Sequence, residues 1–218
     1  MTALLEPLRQ IADLGGPVVL ILIGVSVLTM ALVLYKLWQF TAAGVGRHTA
    51  LTRAVDAWDT GDRAGARDTL GQSTSYLAPV VDMAMTAHNA DSARLQAEAE
   101  VRFARLERGF RFLDSVAQLA PLLGLFGTVL GMIEAFQSLQ DAGSQVDPSL
   151  LAGGIWVALL TTAVGLAVAM PTAMVLSWFE GRMDAERVTA ERALATVLYP
   201  RGQAEVAVDT FHGVPTRA

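Results

Sequence analysis

Three long apolar runs stand out against a mixed polar background, and their lengths set the first expectation. Val18 to Leu34 carries no ionisable side chain, Leu119 to Leu139 carries Glu134 alone, and Leu151 to Phe179 carries none. A bilayer crossing needs about 20 mostly apolar residues. The pattern therefore predicts transmembrane helices over residues 17–40, 113–139 and 151–179. Tyr35, Lys36 and Trp38 would anchor the far end of the first at the membrane interface. Upstream, Leu4, Leu5, Leu8 and Ile11 recur at helical spacing and predict a short surface helix within residues 1–16. Only Arg9 is basic there, and the apolar run exceeds the roughly 7–15 residues of a signal-peptide core. It reads as a span.

The insert over residues 41–112 has helical periodicity in pieces. Leu51, Val55 and Trp58 make one apolar face, Gly61-Asp62 ends it, and short helices are expected over Arg63–Leu70 and Tyr76–Thr86. From Asp91, a candidate N-cap, Leu95, Ala99, Phe103, Leu106, Phe110, Leu113 and Ala117 follow at steps of three and four, a coiled-coil-like seam. That seam runs straight into the second apolar run. It predicts one unbroken helix from Ser92 to Leu139, roughly 70 Å long at 1.5 Å per residue. The third span is expected to continue as a helix over 180–198 through Met183, Ala190, Leu194 and Val197, with a disordered tail over 199–218. The fold class is all-α: an integral membrane protein with three transmembrane helices, the second and third extended into a cytoplasmic helical bundle.

Composition agrees with this picture. Of 218 residues 53% are hydrophobic and 17% charged, against about 45–50% and 25% in soluble domains. The net charge of -5 gives no basic footprint for nucleic acid, and there is no cysteine. His48, His88 and His212 are scattered, no metal-ligand spacing is present, and nothing resembles an enzyme site or a cofactor loop. The basic residues set the orientation. One precedes the first span, ten lie from Lys36 at its far end to Arg111 before the second, none lies in the loop 140–150, and five follow the third. Positive-inside bias places the insert and the C-terminus in the cytoplasm and the N-terminus and the short loop outside.

The membrane runs also carry chemistry. Gly127, Gly131 and Ala135 repeat every four residues, and Ala158, Thr162, Gly165, Ala169 and Ala173 form a second small-residue stripe. Such stripes let helix backbones approach closely in lipid. With the hairpin apex near Gln145, Thr128 and Thr162 each lie 17 residues away, at like depth, while Thr161 faces about 100° from Thr162. Pro121 and Pro171 leave the carbonyls of Ala117 and Ala167 without their helical donors. One mid-helix carboxylate cannot relay protons across about 30 Å of hydrocarbon. Any proton movement needs a titrating group from another subunit.

APLLGLFGTVLGMIEAF (Ala120 to Phe136) and AGGIWVALLTTAVGLAVAMPT (Ala152 to Thr172) resemble the TolQ/ExbB/MotA family of proton-channel subunits. Three spans with an insert after the first look like the ExbB/TolQ branch. The resemblance implies a homopentamer in the bacterial inner membrane around a pair of single-span ExbD/TolR-type partners whose membrane aspartate carries the proton. The work would pass to a TonB/TolA-type energy transducer in the envelope. The reading is ExbB-like; the alternatives are a TolQ-like subunit for envelope maintenance and a non-conducting scaffold of the same build. Thr128 and Thr162 match the family's path threonines, with Thr161 adjacent, and Gly127, Gly131, Gly165 and Ala169 are assigned to helix packing. Relatives generally have a glutamate where this chain has Val157. Glu134, at about the same depth on the second span, is expected to supply the carboxylate instead.

Overall fold

The computed structural model describes residues 2–86, 91–141 and 148–201. Seven helices cover most of them: α1 (Thr2–Ala42), α2 (Thr49–Asp59), α3 (Arg63–Gly71), α4 (Ala78–Thr86), α5 (Ser92–Leu106), α6 (Phe110–Asp141) and α7 (Pro148–Leu198). No strand occurs among the described residues. Segments of α1 (Gly16–Ala42), α6 and α7 (from Leu151) are long and apolar enough to cross a membrane. The expected hairpin apex at Gln145, His88, His212 and nearly all of the tail lie outside the described residues.

Two boundaries are set by glycine. Gly16, at φ 65 and ψ -169, breaks α1 immediately before Pro17, so the backbone changes direction where the apolar run begins. Gly109, at φ 95, separates α5 from α6. The single helix expected over Ser92–Leu139 is therefore two. The apolar seam is continuous in sequence, but a left-handed backbone at Gly109 ends the hydrogen-bond ladder regardless of which side chains flank it. Asp91 caps α5 as its position predicts, accepting from the Ala93 backbone N–H.

The chain divides into two compact units, Met1–Tyr35 with Gly109–Phe179 and Lys36–Arg108 with Glu180–Ala218. In the first, Val18 and Leu22 of α1 pack with Val116 and Ala120 of α6 and Ala169 of α7, flanked by Val25, Leu123, Val164 and Val168. Phe110 and Phe179 stack with ring centroids 5.6 Å apart. Leu28, Phe126, Leu159 and Met174 are exposed on this unit, a surface suited to lipid or to neighbouring helices.

The second unit has a core like that of a water-soluble bundle. Leu51 and Val55 of α2, Leu70 of α3, Val80 and Val81 of α4, Leu95 and Phe103 of α5, and Met183 and Leu194 of α7 are buried. Trp58 closes one end, its indole N–H donating to the Val197 carbonyl at 3.1 Å under the Arg63 guanidinium at 3.8 Å. Lys36 is almost fully buried. Its ammonium donates to the Leu106 carbonyl at 2.8 Å and to Gln39 at 2.7 Å, so it satisfies one of the last carbonyls of α5, which α5 itself leaves without a donor.

Candidate functional site

The site lies in the seam between α6 and α7. On α6, Gly124, Gly127, Gly131 and Ala135 are buried, at steps of three and four. They meet Gly154, Ala158, Thr161 and Gly165 of α7, and one turn further Ala169 packs with Ala120. The approach is close because side chains are missing. A β-carbon on Gly165 would stand 2.6 Å from the Ala120 carbonyl oxygen, and one on Gly124 would stand 2.9 Å from that of Thr161. Gly131 faces Ala158 and Gly127 faces Thr161. This antiparallel pairing sets the levels of everything else on the two helices.

The buried stripe on α7 differs from the expected one. Thr161 and Thr172 are buried, Thr162 is half-buried and Ala173 is exposed. On a helix turning 100° per residue each step of four drifts about 40° one way and each step of three about 60° the other. The contact line must therefore balance threes against fours more evenly than the expected stripe, with its three fours and one three. It does so through Ala158, Thr161, Gly165, Ala169 and Thr172. Gly124 was legible by the same rule, three residues before Gly127, and a search for four-residue steps passes over it.

The hydroxyls gather on one carbonyl. Thr161 Oγ1 donates to the Ala158 carbonyl at 2.7 Å and lies 3.1 Å from that of Gly124, while Thr162 Oγ1 reaches the same Gly124 oxygen at 3.3 Å. Thr128 donates one turn back, to the Leu125 carbonyl at 2.6 Å, which satisfies its hydrogen within its own helix. From the pairing of Gly127 with Thr161, Thr128 lies within a residue or two of the level of Thr161 and Thr162. The structure thus brings the three threonines to one level, with Thr161 and Thr162 sharing an acceptor on the opposite helix. Glu134 is exposed and Val157 half-buried. The pairing of Gly131 with Ala158 puts them about 3 Å apart in level at 1.5 Å per residue.

A second polar cluster lies in the other unit and uses a histidine that the sequence left among scattered ones. The Glu186 carboxylate of α7 is buried and accepts from His48 Nε2 at 2.6 Å, Tyr76 OH at 2.9 Å and the Gly46 backbone N–H at 2.9 Å. Burial alone would raise its pKa. The hydrogen bonds from His48 and Tyr76, with the charge of Arg182, outweigh burial and hold the carboxyl below its ordinary range. Burial, reinforced by Glu186, pushes the Tyr76 hydroxyl well above the usual phenol range, so it remains a donor. Nothing in the local pattern around His48 signals this contact, because its partner lies 138 residues away.

A helical chain with three membrane-length segments, two of them joined through a glycine-lined seam without ionisable side chains, is a multi-pass membrane protein. A profile of the MotA/TolQ/ExbB proton channel family matches residues 69–192, and the chain belongs to that family. It is 42% identical over 86 residues to the putative biopolymer transport protein ExbB homolog of Methanothermobacter thermautotrophicus, covering 39% of this chain and 30% of that one. It is 41% identical over 80 residues to the Tol-Pal system protein TolQ of Haemophilus influenzae, covering 37% of this chain and 35% of that one. The putative biopolymer transport protein ExbB-like 3 of Synechocystis is 27% identical over 207 residues, covering 92% of this chain and 95% of that one. In the first two cases the alignment spans about a third of the relative's length.

Proposed function

We propose that this chain is the ExbB-like subunit of an inner-membrane motor driven by the proton gradient, assembled as a homopentamer around ExbD/TolR-type partners. Its insert and C-terminus face the cytoplasm, and it passes work to a TonB/TolA-type transducer that energises transport at the outer membrane. The observation that carries this reading is the α6–α7 seam. It belongs to a proton-channel family, yet between Asp114 and Asp141 of α6 and from Leu151 to Phe179 of α7 these two spanning helices hold one ionisable residue, Glu134. A continuous relay cannot be built from that, so the carboxylate that binds and releases the proton comes from the partner. Thr128 and Thr162 present hydroxyl oxygens to that carboxylate or to water, and Thr161 holds the Gly124 carbonyl beside them.

The test is proton flux into liposomes. The chain alone is expected to leave them tight, and reconstitution with its single-span partner opens a conductance that vanishes when the partner's membrane aspartate becomes asparagine. Thr162→Val keeps the volume and deletes the hydroxyl. An interhelical bond of this kind contributes about 0.6–2 kcal/mol, too little to dismantle a pentamer, so assembly survives while coupled flux falls. Conductance by the chain alone at the rate of the complex would overturn the reading.

A further inference from the structure

Glu186 is bound by groups from separate stretches of chain. Gly46 and His48 come from the loop after α1, and Tyr76 from the segment before α4. Arg182, on the same helix, lies 3.7 Å from the carboxylate. The second ring nitrogen of His48 is 3.0 Å from Ser75 Oγ, which itself accepts from the Leu77 backbone N–H. Gly46 has φ 80, and a β-carbon there would run into the Arg182 guanidinium. The left-handed backbone favours glycine there, and with any other residue the end of the Arg182 side chain would have to shift. Nearby, Arg187 ties α7 to α5 separately, through Glu107 at 2.6 Å and Glu100 at 3.5 Å.

A buried carboxylate adds little stability that an apolar side chain of the same volume would not. What it adds is direction, because each donor fixes one angle of approach. We propose that Glu186 is a positioning residue for energy coupling: it pins the loop leaving the first span to the inner half of α7, so that motion of one is carried to the other. This rests on the motor reading above. Arg187 and the Val197 carbonyl also tie α7 into this unit, to α5 and to Trp58 of α2, and the Glu186 tie is the one that reaches the loop after α1.

The chain has no cysteine, so spin labels can be placed without background. Thr49→Cys, at the start of α2, and Ala185→Cys, on α7, are both exposed positions. With labelled chain diluted into unlabelled chain, the intramolecular distance is expected to be narrowly distributed. In Glu186→Gln and His48→Gln it broadens, whereas in Glu107→Gln, which weakens only the tie to α5, it stays narrow. The near-isosteric Glu186→Gln keeps the test valid if Glu186→Ala does not fold. In liposomes with the single-span partner, Glu186→Gln is expected to lower proton flux by up to about a hundredfold, the scale of loss that follows misplacement of a coupled group by about 1 Å. Bridging His48→Cys to Glu186→Cys with a short bismaleimide should restore part of it. An unchanged distance distribution, or full flux in Glu186→Gln beside normal flux in the unsubstituted protein, overturns the positioning role. Absence of partner-dependent flux in the unsubstituted protein overturns the motor reading instead.

Discussion

Glu134 is the single ionisable side chain of α6 between Asp114 and Asp141, and it sits about one half-turn in level from Val157, where the family resemblance implies a glutamate. Two roles separate by charge. A carboxylate that hands protons on cannot be replaced by an amide, whereas one that only reaches the interface can. We expect Glu134→Gln to lose most partner-dependent coupling and the double variant with Val157→Glu to recover part of it, measured at matched membrane levels. Unimpaired coupling in Glu134→Gln would show that the route runs elsewhere. At this scale the sequence was informative where spacing carries the signal. The shared level of Thr128 and Thr162 followed from counting residues out from a turn. The seam position of Thr161 did not, because one helical step of 100° moves a side chain from one face to another.

Among the elements, the α6–α7 seam has the least tolerance for added atoms. A β-carbon on Gly165 meets backbone, the Ala120 carbonyl at 2.6 Å, while one on Gly153 meets nothing within 4 Å. Gly165→Ala therefore forces the helices apart, with an expected loss of about 1–3 kcal/mol typical of overpacking. Gly153→Ala should be neutral or slightly stabilising, since alanine is the better helix former. Thermal unfolding of the two variants in detergent makes the comparison, and equal stability would mean that the seam is looser than the structure has it. The existence of these helices was readable from apolar periodicity, as were α2, α3 and the cap of α5. The break at Gly109 was not. A glycine in an amphipathic run is compatible with a continuous helix, and what ends this one is a backbone angle that no periodicity reports.

For the molecule as a whole, the division into two units places its acid sensitivity. Glu186 is held below the ordinary carboxylate value of 4.5, so its contribution to stability is complete above that value and is lost as pH falls through the depressed one. The unit containing α2 to α5 should keep its full margin near neutrality and lose stability on acidification below about pH 4.5. Glu186→Gln should flatten that part of the profile and leave the neutral region lower. Melting followed by circular dichroism at stepped pH checks this, and superimposable acid limbs for the two proteins would show that the carboxylate is not linked to folding. The two-unit architecture was only partly legible. Hydropathy separated membrane runs from the insert, but the joining of the C-terminal part of α7 to the insert depends on contacts more than 100 residues apart, such as Trp58 with Val197.

Lys36 imposes an order in time. Its acceptor, the Leu106 carbonyl, lies 70 residues further along the chain, and an ammonium group cannot leave water without such a partner except at high cost. During synthesis the first apolar helix can enter the bilayer well before that carbonyl exists. Burial of Lys36 against that carbonyl must wait until the chain has been made through α5 and the last turn of that helix has closed. Insertion of the first span and burial of the lysine that follows it are thus separate events, with the whole of α2, α3, α4 and α5 translated between them.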